Sequence, residues 1–250
     1  MPLTLMIALF ATMIGTAFLS GIFGMAGGMI LIGVLLALLP VPAAMALHAI
    51  TQMASNGWRA FLWRNHIRWR AAGYFLIGST LAFVVWSFWL YVPSTPIALI
   101  LLGLTPFLAR AAPAGLKPNP ARLAHGVLYG SVCMSLMLLT GVTGPLIDTF
   151  FLGGGNFGRR EIVATKAICQ TVSHTAKLFY FGGLVAGGAA VDLPMALLAV
   201  MASMLGTSLA RPVLERLSDG QYRQWAAHII TAIALTYLAQ GSFLLLWPRS

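Results

Sequence analysis

Long apolar runs separated by short polar or glycine-rich stretches make up almost the whole chain. The first covers residues 1–20, and residues 1–47 hold no ionisable side chain at all. A break follows, Gly21-Ile22-Phe23-Gly24-Met25-Ala26-Gly27-Gly28, and then a short apolar segment at 29–39 closed by Pro40-Val41-Pro42. At 1.5 Å per residue that segment reaches about 17 Å, half of a ~30 Å hydrocarbon core, so it crosses only if the glycine stretch is extended and supplies the remaining depth. A long helix is expected over 43–63, a basic loop over 64–70, spans over 71–91 and 97–111, and an uncharged turn at 92–96. The pattern then repeats. A helix over 122–140 leads to Gly141-Val142-Thr143-Gly144-Pro145, a short apolar segment at 146–152, a glycine-rich basic loop at 153–160, a long helix at 161–181, and spans at 193–210 and 224–246. Glycine and proline both weaken helices, and unpaired backbone at membrane depth is tolerated only where it lines a cavity or is covered by protein. Paired breaks at matching positions of two halves point to a transport site.

The two long helices that follow the breaks carry the same polar stripe. His48, Thr51, Gln52, Ser55, Asn56 and Arg59 are spaced i, i+3, i+4, i+7, i+8, i+11, as are Lys166, Cys169, Gln170, Ser173, His174 and Lys177. Each set lies on one helix face. His48 and Lys166, Gln52 and Gln170, and Asn56 and His174 are each 118 residues apart; Gly24 and Gly141, and Gly27 and Gly144, are 117 apart.

Composition fixes the class. The chain of 250 residues is 59% hydrophobic and 8% charged, against about 25% charged for a soluble domain, which leaves too few charges to cover a soluble surface. The net charge of +10 is read as the positive-inside signature and attraction to anionic lipid, and no nucleic-acid partner is expected, because the basic residues gather at the ends of apolar runs. The start of the chain lacks the basic region of a cleavable signal. Basic loops at 64–70, 110–122, 159–160 and 211–223 alternate with loops free of Lys and Arg at 40–42, 92–96 and 182–192. All seven alternate correctly if each half has five segments with the short ones crossing. The expected architecture is therefore an all-α polytopic membrane protein of two inverted repeats, 1–112 and 122–250, joined by a Pro-rich linker at 113–121. Each repeat has about five segments, giving roughly eight full transmembrane helices plus two short broken or half-helices. The expected location is the plasma (inner) membrane, multi-pass, with both termini outside.

The stripe is rich in hydrogen-bond donors and contains no acid, which suits an anion; a cation site would be expected to show carboxylates. Helix N-termini at the breaks add free N–H groups and positive dipole ends. The candidate substrate-binding residues are Gly24, Gly27, Gly28, His48, Gln52, Asn56, Thr143, Gly144, Lys166, Gln170 and His174. Plainer readings stand beside these. Thr51, Ser55 and Ser173 can simply bridge helices, and Arg59 and Lys177, near helix ends, are expected to snorkel to the interface. His48 and Lys166 come early enough in their helices to be interfacial too. Asp148 is the single acid well inside an apolar run. It is either the partner of a buried cation, Lys166 or His174, or a group that titrates during transport; Asp148 and His174 are the proton-coupling candidates. Cys133 and Cys169 are read as small buried residues, and no cofactor or metal is expected.

At these residues the chain resembles the sulfite exporter TauE/SafE family, also called the toluene-sulfonate uptake permease group. The resemblance rests on Gly24-Met25-Ala26-Gly27-Gly28-Met29 with Pro40 after it, on Arg64-Asn65-His66-Ile67-Arg68-Trp69, on Gly141-Val142-Thr143-Gly144-Pro145 and on Ile162-Val163-Ala164-Thr165-Lys166-Ala167. Leu47-His48-Ala49 departs from it, where a small hydroxyl pair is common, and so does Asp148. The resemblance implies transport of a small, sulfur-containing anion such as sulfite, a sulfonate or a sulfoacetate-like molecule; protons are the expected coupling ion, because His48, His174 and Asp148 can titrate, and a homodimer is an option. A small carboxylate or other anion is the alternative substrate. An intramembrane enzyme is disfavoured, because neither a Gly-x-Ser-x-Gly nor a His-Glu-x-x-His motif occurs; a partner-dependent membrane subunit is the third reading.

Overall fold

The computed structural model describes residues 3–23, 26–111, 118–153, 157–188, 191–216 and 219–247. These residues form ten α-helices: α1 (Leu3–Phe23), α2 (Ala26–Leu38), α3 (Val41–Leu62), α4 (Trp69–Trp89), α5 (Thr95–Ala111), α6 (Leu123–Thr140), α7 (Gly144–Gly153), α8 (Arg159–Leu178), α9 (Leu193–Arg216) and α10 (Asp219–Leu246). A 3-10 turn at Arg64–His66 precedes α4, and α8 continues as a π-helical stretch, Phe179–Val185. Five helices are long and apolar enough to cross a membrane among the described residues: α1, α4, α6, α9 and α10. Of the remaining long helices, α3 and α8 carry the polar stripes and α5 has 17 residues.

The first break is tighter than the sequence suggests. α1 runs through Gly21 to Phe23 and α2 begins at Ala26, so Gly21, Gly27 and Gly28 are helical and no extended stretch occurs among the described residues of 21–28. Gly24 lies outside the described residues, as do 112–117 of the expected linker and 154–156 of the glycine-rich loop. With 13 residues, α2 reaches about 20 Å, and its depth is set by packing. A Cβ on Gly27 would lie 1.8 Å from the Thr16 carbonyl oxygen, so only glycine lets α2 press so closely against α1. On its other side Tyr237 of α10 fits over Gly33 and donates a 2.6 Å hydrogen bond to the Met29 carbonyl.

The second break is a left-handed turn: Gly141 (φ +85°) ends α6, its N–H donating to the Met137 carbonyl, a conformation that favours glycine. α7 starts at Gly144 with Pro145 in its first turn, where the missing N–H is harmless. The basic loop expected over 211–223 is largely helical, α9 continuing to Arg216 and α10 starting at Asp219.

The helices pack in matched pairs. α4 lies against α6 and α1 against α9; α5 pairs with α10 and α3 with α8. Exchanging the halves, so that α1 takes the place of α6, α2 of α7 and so on, carries this set of pairs onto itself. α4 and α6 run parallel, with Gly78 against Val127 and Gly130 against Phe75 at one level and Trp86 donating to Ser135 further along. α1 and α9 are also parallel, with Ile14 and Ala17 against Gly206 and Gly21 against Ala210. α5 and α10 are antiparallel, Gly241 meeting Pro96 at one end and Arg110 bonding Thr231 at the other. α3 and α8 are antiparallel as well: His48 meets Lys177 at one end, and the Arg68 amide donates to Thr165 Oγ1 (2.9 Å) at the other. Outside the apolar run, Arg68 also pairs with Glu161. That guanidinium and the Gly158 N–H hold the Glu161 carboxyl below the usual carboxylate range. The outer face of α4 is apolar and open, with Leu81, Val84, Val85 and Phe88 exposed, as a lipid-facing helix requires.

Candidate functional site

The site grows from the α3–α8 contact. Because each stripe occupies one helical face and the two helices are neighbours, both stripes turn inward together. His48, Thr51, Gln52, Ser55 and Asn56 of α3 are buried, and so are Lys166, Cys169, Gln170, Ser173, His174 and Lys177 of α8.

At the centre is a chain of hydrogen bonds. His48 Nε2 lies 2.9 Å from the Gly28 carbonyl oxygen. A carbonyl only accepts, so Nε2 carries the proton and Nδ1 is the acceptor. Lys177 Nζ donates to that Nδ1 at 2.7 Å and to the Gly141 carbonyl at 3.0 Å. Gly28 belongs to the first break and Gly141 to the second, so His48 and Lys177 link both breaks through one connected path. The positive φ at Gly141 ends α6 and leaves this carbonyl free of the helix ladder. Lys177 is 0% exposed, and among the described residues no carboxylate pairs with it. The His174 ring stands edge-on to that of His48, with centroids 5.5 Å apart, and its Nδ1 is buried without a hydrogen-bond partner.

Lys177 corrects the sequence reading. It does not snorkel to the interface; it sits in the interior, because the helix runs on past it as the π-helical stretch Phe179–Val185. The legible signal was the apolar sequence Leu178-Phe179-Tyr180-Phe181, which carries the chain deeper instead of out to a polar loop. His48 is likewise interior, not interfacial.

The other candidates surround this core unevenly. Gln52 lies on the first turn of α2, its Oε1 3.2 Å from where a Gly28 Cβ would be. Asn56 Nδ2 donates to the Gln52 carbonyl one turn back. Ser55 bridges to Thr207 of α9 at 2.8 Å, whereas Thr51 bonds only carbonyls of its own helix. Thr143 is buried, and its carbonyl accepts the amides of Leu146 and Ile147, which opens α7. Gln170 keeps 8% exposure. Lys166 forms an ion pair with Asp148 of α7, which selects Lys166 over His174 as the acid's partner and leaves Asp148 apart from the histidines. Arg59 donates to the Ser20 carbonyl. Cys133 and Cys169 are buried free thiols.

A cleft of about 260 Å³ lies beside this core, lined by Ala46, Ile50, Leu178, Phe179, Gly182 and Gly183 among others. None of the stripe residues lines it, and its wall is apolar. The stripe donors do not open onto this cleft.

Ten packed helices among the described residues, five of them long and apolar enough to span a bilayer, around an enclosed stripe of donors define a polytopic membrane protein. The family described as "Sulfite exporter TauE/SafE" matches residues 8–237, and the chain belongs to that family. No curated protein and no solved structure matches it.

Proposed function

We propose that the protein is a secondary transporter of a small anion, sulfur-containing, moved by alternating access around the α3–α8 site. The observation that carries this is Lys177, a fully buried lysine bonded to a histidine and a carbonyl with no carboxylate partner among the described residues. Kept charged with no anion beside it, such a lysine costs several kcal/mol, roughly, even after relaxation. A structural role is met more cheaply by an apolar residue, whereas an anion site needs that charge. Gln52, Asn56, Gln170 and His174 add neutral donors, and the family supplies sulfite as the first substrate to try.

Two inverted halves fit this mechanism, since rocking one half against the other around a fixed site is how such repeats work. The antiparallel course of α3 and α8, helices that correspond under the 118-residue offset, supports inversion. Taken together with the parallel pairs α1–α9 and α4–α6 and short connections between neighbours, that antiparallel course requires α1 and α3 to point the same way, as do α6 and α8. The short helices α2 and α7 then cross between the faces. On the Lys/Arg pattern both termini lie outside the plasma membrane.

The test is uptake of labelled sulfite, sulfonates and carboxylates into proteoliposomes holding the purified protein alone. Uptake of sulfite or a sulfonate above protein-free vesicles is expected. A carboxylate-only profile would overturn the sulfur assignment, and uptake of none would overturn the transporter reading.

A further inference from the structure

On that reading, we propose that Lys177 is the seat of the anion and that one proton enters and leaves with it. Lys177 Nζ has two hydrogen-bond acceptors, His48 Nδ1 at 2.7 Å and the Gly141 carbonyl at 3.0 Å, both neutral. A neutral amine has two N–H bonds, which these acceptors fill. An ammonium has a third, and no third acceptor is found for it among the described residues. The acceptor that completes it is the substrate anion.

The surroundings supply a second contact. His174, on the same helix one turn before Lys177, has a buried Nδ1 with no partner. With its proton on Nδ1 it donates to an oxygen of an anion held by Lys177. A buried donor aimed at nothing in the empty protein is a ready-made ligand group.

No other group neutralises the site. Facing Lys177, α3 contributes His48; α2 and the end of α6 contribute only the Gly28 and Gly141 carbonyls. Of the titratable groups of α6, His125 lies at the far end and accepts the Asn119 amide, Tyr129 stacks on Phe150 of α7, and Cys133 is a buried free thiol. Arg70 of α4 is exposed at the basic-loop end, bonded to Tyr74. Asp148 of α7 is engaged by Lys166, which precedes Lys177 by 11 residues on α8, about 16 Å along the helix. Tyr180, in the π-helical stretch, donates to the Tyr91 carbonyl. The charge balance is therefore closed by the substrate itself: amine, proton and anion combine to an ammonium–anion pair with no net charge, and release of the anion frees the proton to the same side. The amine then returns to His48 and Gly141, which rejoins the two breaks.

The experiment uses the full-length protein in proteoliposomes with a trapped pH indicator, given sulfite and methanesulfonate in turn. Methanesulfonate has no titratable group near neutral pH, so its proton count is unambiguous. Wild type is expected to acidify the lumen by one proton per methanesulfonate taken up. Lys177→Met is expected to lose at least 90% of uptake and all proton movement while eluting as a monodisperse protein. His174→Gln, which removes no hydrogen bond present in the structure, is expected to weaken half-saturation at least fivefold; it carries the test if Lys177→Met fails to fold. Methanesulfonate uptake by wild type without acidification, wild-type rates in Lys177→Met, or unchanged half-saturation in His174→Gln would each overturn the proposal. Movement of neither anion by wild type would instead strike at the proposed function.

Discussion

Lys166 and Lys177 sit on one helix, yet only one has an acid. Asp148 answers Lys166 across the α7–α8 contact, with side-chain exposures of 21% and 11%. That geometry favours a structural role for Asp148: it neutralises a half-buried cation and ties a ten-residue helix to its neighbour. Replacing it with Asn should destabilise the protein by about 1–2 kcal/mol, less than the ~3–5 kcal/mol of a fully buried pair because both groups keep some solvent. Thermal unfolding in detergent measures this, and adding Lys166→Met should recover part of the loss. Unchanged stability with abolished transport would instead return Asp148 to the coupling role. At this scale the sequence was legible where spacing carried the information. The i, i+3, i+4 rows put His48, Gln52 and Asn56 on one face, and that face is buried. It misled at Lys177, where position near an expected helix end stood in for depth. Depth depends on where the helix stops: the apolar Leu178-Phe179-Tyr180-Phe181 was the local signal that the chain runs deeper, and only the π-helical form of the continuation to Val185 had none. The link from His48 to the Gly28 carbonyl is long-range and had no sequence signal of its own.

Among elements, five segments were readable because apolar runs of 18 or more residues leave few alternatives, and the others from the breaks, the polar stripes and the charged loops around them. Their ends were less so. Gly21 was read as part of a break, but a single glycine inside an apolar run is tolerated when packing rewards it. Here a Cβ would lie 2.3 Å from Ala210 Cβ, so Gly21 serves the α1–α9 contact as an ordinary helical residue. Gly78 and Gly130 do the same for α4 and α6, where a Cβ on either would come within 1.9 Å of a carbonyl oxygen across the interface. Small residues that let helix backbones approach are the main means of packing helices in lipid. Glycine thus has two uses in this chain, close packing and helix termination. Both uses meet at the site: Gly28 packs under Gln52, and Gly141 ends α6 with a positive φ and presents the carbonyl that holds Lys177.

At the scale of the molecule, the 118-residue offset and the exchange of helix pairs describe one two-fold relation, seen first in sequence and then in packing. The proposed inversion of the halves, with the Lys/Arg pattern of the loops, makes a sidedness prediction. A cysteine placed at Ser94, in the loop without Lys or Arg, should react with a membrane-impermeant maleimide in intact cells, and one at Asn65, in the basic loop, only after permeabilisation. The buried Cys133 and Cys169 should stay silent. The reverse labelling would contradict the orientation, and equal labelling of both sites from outside would contradict the fold's membrane course. The central claim is narrower: the anion passes between the two facing stripes. It is tested most directly by sulfite flux into proteoliposomes for wild type and for Gln52→Ala and Gln170→Ala, equivalent residues of the two halves. The account predicts that each variant inserts normally and transports at least tenfold more slowly than wild type. Wild-type flux in both variants would place the pathway elsewhere and contradict it.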